Sequence, residues 1–148
     1  MKVNPNLSHR TLARQLAIQS LYQHEIAGTP WIELERQAME RPEFDKIDQN
    51  LYRNAVRYIT AHRDELDAFY KPYLDRAFSL IDPIERSILR LGTWELTQTP
   101  EVPYRTVIDE AVELAKDFGA EESYKYINAV LDKVAEQVRQ AEKAASNH

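Results

Sequence analysis

Apolar residues recur at spacings of three and four along most of the chain, and the pattern is interrupted where glycine or proline intervenes, which predicts a succession of amphipathic helices. The first runs from a cap at Ser8 or a neighbour to about Ala27 and stops at Gly28, with Leu12, Ala13, Leu16, Ala17, Ser20 and Leu21 as its buried stripe. Thr29 and Pro30 open a short second helix that reaches about Met39 and ends before Pro42. From Asp45 to Tyr70 the spacing predicts a long helix with Ile47, Leu51, Val56, Ile59, Leu66 and Phe69 inside. Its register shifts near Ala61 to Asp64, so a break is expected there, with helix continuing past Lys71 and Pro72 to Phe78.

The pattern is clearest from Ile81 to Val134. Asp82 can cap a helix that begins at Pro83, and Glu85, three residues after the cap, can reach back to a backbone N–H. Ile84, Ile88 and Leu91 form its apolar face, and Arg86, Arg90 and Glu95 are expected as polar positions around it. The next helix, about Arg105 to Asp117, aligns Val107, Ala111, Leu114 and Phe118 with Ile108 and Ala115 beside them. Gly119 is expected to end it in a left-handed conformation. A last helix, about Glu121 to Ala141, places Ile127, Val130, Leu131, Val134 and Val138 on one face, with Glu121 and Glu122 at its positive end. No segment holds a period of two. The prediction is an all-α fold of six or seven helices in a single domain spanning residues 1–148, with 1–6 and 140–148 flexible.

Composition narrows the chemistry. A chain of 148 residues with 43% hydrophobic and 29% charged positions can bury a core, and no apolar run approaches the roughly 20 residues that span a bilayer. The start of the chain has no secretory pattern, so the cytoplasm is the expected location. With no cysteine there is no disulfide or thiolate chemistry. The histidines at 9, 24, 62 and 148 are too scattered for a metal-ligand pair, and there is no glycine-rich phosphate loop or nucleophile elbow. Asp109, Glu110 and Glu113 are adequately explained as an exposed helix face. No cofactor, no metal and no enzymatic activity are expected.

The net charge of −5 opposes bulk attraction to nucleic acid, yet Met1 to His24 contains no acidic residue and carries Lys2, Arg10 and Arg14. Single-stranded RNA is held by cations that track phosphates and by planar groups on which bases stack. Arg10 and Arg14 stand one helical turn apart and are expected to project together.

The segments ARQLAIQSLYQHE, KPYLDR, VPYRTVIDEAVELAKDFG and NAVLD resemble the NusB family of transcription antitermination factors and occur in that family's order. The resemblance covers nearly the whole chain, leaving aside the first six or so residues, Trp31 to Asp45 and the tail after Arg139. It implies an adaptor that binds boxA-type single-stranded RNA together with NusE, a ribosomal protein, within the RNA polymerase antitermination complex. By that resemblance Lys2, Arg10, Arg14, Tyr73, Glu122 and Tyr126 belong to the RNA surface, and Tyr22 and Glu85 to the NusE-facing surface. Thr11 and Leu12 stand where some members carry further arginines, which implies weaker RNA binding by the lone protein and greater reliance on its partner. Ala129 replaces a frequent glycine and is expected to widen a close packing contact slightly. Two alternatives stay open: a NusB-like module that serves an rRNA methyltransferase, and a helical interaction protein without RNA binding. Apolar stripes do not reveal whether their cover comes from the same chain, so a homodimer is also open.

Overall fold

The computed structural model describes residues 7–146, which contain eight α-helices, three short 3-10 turns and no strand. The chain divides into two compact units at His62 and Arg63, each with its own helices.

In the first unit α1 spans His9–Ala27, α2 Trp31–Met39 and α3 Gln49–Ala61, with a 3-10 turn at Pro42–Lys46 before α3. The Ser8 hydroxyl accepts the Thr11 N–H at 3.0 Å and begins α1. Gly28, at φ +71°, ends it, and its N–H returns to the His24 carbonyl. Packed against α2 and α3, α1 is buried without interruption from Leu12 to Ile18. Tyr52 of α3 is fully buried, and its hydroxyl donates to the Leu34 carbonyl at 3.2 Å while lying 2.7 Å from Ser20 Oγ. Ser20 can therefore sit in an apolar stripe, because its polar atom has a partner.

The second unit holds α4 (Arg63–Tyr70), α5 (Pro83–Gln98), α6 (Tyr104–Phe118), α7 (Ser123–Val138) and α8 (Gln140–Ser146). The long helix expected from Asp45 is thus α3 and α4, broken at His62 as the register shift implied. It starts later than expected because Asp48 caps Leu51 N–H at 3.0 Å. Past α4 the chain forms 3-10 turns at Lys71–Tyr73 and Phe78–Leu80, since Pro72 supplies no N–H to a continuing helix. Tyr70 takes the core position expected of Phe69, which is half-buried.

Helix α5 packs against α4, α6 and α7, and every residue from Ser87 to Leu96 is buried. Arg90 and Glu95 therefore lie inside, where polar surface positions were expected. The Arg90 guanidinium meets Asp67 at 2.8 and 3.0 Å, and Tyr70 Oη–H donates to the same carboxylate at 2.6 Å. A buried charge is tolerable when its partners are this complete. The close approach of α5 to α7 falls at Gly92, where a Cβ would stand 2.7 Å from Leu131 Cδ1. Ala129 is exposed, so its methyl widens no packing contact.

Gly119 departs from expectation. Its φ and ψ are −87° and 175°, an extended conformation open to any residue. Glycine is needed for space, because a Cβ would stand 2.8 Å from the Ala115 carbonyl oxygen and closer still to Ser123 Oγ. The left-handed residue of this corner is Glu122, at φ +69°, and α7 begins only after it. At the other end of α7 the expected flexible tail is helical from Gln140 to Ser146. Arg139, 6% exposed, donates to the carbonyls of Leu96, Val102, Glu95 and Thr99 at 2.8–3.2 Å, closing the end of α5. Glu142 of α8 accepts the Tyr104 N–H at 2.9 Å, supplying the cap that Pro103 lacks at the start of α6.

Candidate nucleic-acid interface

Lys2 lies outside the described residues. Arg10 occupies the first turn of α1 with 47% of its side chain exposed, and its Nε is 3.8 Å from Asp48 Oδ2. Arg14, by contrast, is 2% exposed. The expected pair does not project together: one turn along α1 the helix enters its fully covered stretch, and the second guanidinium goes in with it. Near the far end of α1, Tyr22 keeps 39% of its surface exposed, so a large ring with a polar tip is presented to solvent.

In the second unit the KPYLDR segment lies beside α7. Tyr73, 36% exposed, donates from its hydroxyl to Gln137 Oε1 at 3.1 Å. Three residues on, the Arg76 guanidinium stands 4.5 Å from the ring centroid of Tyr126. Gln137 and Tyr126 are roughly 16 Å apart along the helix axis but nearly eclipsed on one face, as 3.6 residues per turn requires. The segment therefore brings Tyr73 and Tyr126 to the same side of α7.

Tyr126 is half-buried. Its hydroxyl is enclosed without a hydrogen-bond partner, and burial pushes its pKa up to about 12 in spite of the opposing Arg76 charge. One turn before it, Glu122 is exposed and pairs with Lys125 Nζ at 3.0 Å.

At the start of α5 the Asp82 carboxylate accepts the Ile84 N–H at 2.8 Å and caps the helix, with Glu85 in its first turn. Burial raises the Glu85 pKa, the Asp82 charge adds to the rise, and Arg76 opposes it. Glu85 is only 7% exposed, less than its expected role at a surface suggested.

Arg76 is the residue that sequence reasoning passed over. It closes the KPYLDR motif, but a lone arginine in a loop gave no sign that an aromatic 50 positions later would lie beneath it. A related cluster surrounds half-buried Phe78, with Lys71 Nζ 4.3 Å and the Arg86 guanidinium 5.4 Å from its ring centroid.

Elsewhere the side chains are occupied structurally. His24 and His62 direct Nδ1 at the carbonyls of Thr29 and Tyr58 at 2.7 and 2.8 Å. Among the described residues no group of three or more His, Asp or Glu could hold a metal ion, and no helix is long and apolar enough to cross a membrane. A groove of about 610 Å³ lined by Tyr104, Asp109, Asp132 and Lys143 contains none of the expected site residues.

The all-α architecture exposes Arg10, Tyr22, Tyr73 and Arg76, cations and rings of the kind that binding surfaces present. The NusB family model matches residues 11–136, a span that includes both units. The transcription antitermination protein NusB of Hydrogenovibrio crunogenus is 43% identical over 142 residues, covering 96% of this chain and 88% of its own. That of Hahella chejuensis is 42% identical over 140 residues, covering 95% and 94%. A solved structure of T. maritima NusB superposes with a TM-score of 0.74 at 28% identity, covering 92% of this chain and 93% of that one. This chain belongs to the NusB family, a non-enzymatic family of antitermination factors.

Proposed function

We propose that this protein is a cytoplasmic transcription antitermination factor that binds a boxA-type single-stranded RNA jointly with the ribosomal protein NusE, as part of the RNA polymerase antitermination complex. The observation that carries this reading is the near full-length similarity to proteins named for antitermination. The side chains are consistent with it. Arg10 is exposed on α1, and Tyr73 reaches the side of α7 that carries Tyr126. Lys2 and Arg10 supply cations, Tyr73 and Tyr126 supply planes, and Glu122 sets a carboxylate against the phosphates. Arg14, 2% exposed, presents little surface to RNA. Tyr22 and Glu85 face NusE, a basic protein that a carboxylate attracts.

Linkage provides the mechanism. Two modest surfaces hold a transcript that neither binds tightly, so the partner's affinity for the protein and the protein's affinity for RNA rise together. The test is a titration of labelled boxA RNA with this protein, with NusE and with their mixture. The mixture should bind the element over a scrambled sequence and more tightly than either component. Equal binding of the two sequences by the mixture would refute the reading. In the same assay Glu85→Lys should abolish NusE binding, while the loss of an acidic side chain from the first turn of α5 lowers stability by only ~1 kcal/mol.

A further inference from the structure

We infer that Arg76 is an RNA-contacting residue, its guanidinium held over the Tyr126 ring so that its exposed side meets the transcript. This rests on the RNA reading above and adds a residue which that reading did not contain. The side chain is 45% exposed in the loop between the two 3-10 turns, so the loop presents it without a core to organise it. Two contacts fix its direction: the Tyr126 ring at 4.5 Å and the Asp75 carboxylate, which accepts its Nε–H at 2.9 Å.

An arginine stacked on an aromatic ring has already lost much of its rotational freedom, which makes it a more effective ligand for a base or phosphate than a lysine at the same place. Such stacking tolerates every base, and the N–H edge suits a phosphate. The arrangement also explains how Tyr126 takes part although it is half-buried: it supports the guanidinium from below.

The experiment measures boxA RNA binding by wild type, Arg76→Ala and Arg76→Lys, each mixed with NusE, across a range of salt concentrations. Arg76→Ala should weaken binding ~10-fold and lower the slope of log affinity against log salt by about 0.7, the value for one phosphate on a single strand. Arg76→Lys should keep the slope and recover only part of the affinity. Affinity of the NusE-free variants for NusE should match wild type. A purely structural role for Arg76 would leave the salt slope untouched, and that result overturns the inference, as does unchanged affinity in Arg76→Ala. Failure of the wild-type mixture to bind boxA sinks the RNA reading itself, whereas binding by wild type and variant alike sinks Arg76 alone.

Discussion

The end of α5 and the loop after α4 each depend on one arginine, and the two arginines do opposite things. Arg139 is enclosed and directs its N–H groups at the carbonyls of Glu95, Leu96, Thr99 and Val102 and at the Glu142 carboxylate. Arg76 is exposed, lies on one ring and pairs with one carboxylate. The residue type is the same, and the number of acceptors around it decides its role. Where backbone carbonyls left over at a helix end converge, the guanidinium becomes part of the fold. Where only one acceptor is near, it remains available to a ligand.

The strongest way to break this comparison is to remove each arginine and measure stability by urea unfolding. Arg139→Ala should lower stability by about 3–5 kcal/mol, since it strands several buried carbonyls and a carboxylate at once. Arg76→Ala should stay within roughly 0.5 kcal/mol of wild type, as expected for an exposed side chain. Equal losses would show that exposure and acceptor number do not separate the two.

Tyrosines extend the contrast to titration. Tyr52 is fully buried with its hydroxyl bonded, and burial holds its pKa at about 12, above the usual 10. Because the folded value is the higher one, its contribution is complete below pH 10 and declines as the pH rises toward 12, where the unfolded chain ionises first. The Tyr52 share of the decline should amount to roughly 2–3 kcal/mol, and Tyr52→Phe should remove that share. A stability profile flat over that interval in wild type would contradict the burial argument. Tyr126 gives the converse. Its enclosed hydroxyl has no partner, so Tyr126→Phe should leave stability unchanged or raise it by ~1 kcal/mol.

Which of these roles was legible in the sequence follows from the range of the interactions involved. Local signals were read correctly: Ser8 and Asp82 as caps, Gly28 as a stop, the break near His62, and the apolar stripes of α1, α6 and α7. What depended on distant neighbours was not. Arg90 and Glu95 followed a polar pattern on α5, yet three helices cover that helix and Asp67, 23 residues earlier, neutralises Arg90. Arg14 differs from Arg10 only by one turn, and nothing in its spacing says that the helix is covered there. The tail after Arg139 looked featureless because Glu142, which ties it down, accepts the Tyr104 N–H from 38 residues away. The candidate site divides the same way: its aromatic positions came from the motif, and Arg76 required the fold.

The smallest effect is expected at Glu122, where two arguments meet on one side chain. A non-glycine residue at φ +69° carries strain of about 1 kcal/mol, and asparagine tolerates that region better than glutamate. Glu122→Asn should therefore stabilise the fold by roughly 0.5 kcal/mol. The same change removes the carboxylate that pairs with Lys125 at 3.0 Å, leaving an exposed ammonium one residue before Tyr126. If the face of α7 that carries Tyr126 meets phosphates, one negative charge is lost and one positive charge is released there, and boxA affinity should rise a few-fold at low salt, with the gain shrinking as salt screens it. Glu122→Gly separates the two contributions, since it removes the carboxylate and relieves the strain without an amide. If both variants gain stability but neither binds RNA more tightly, the corner before α7 matters to folding alone, and the RNA surface must be sought away from it.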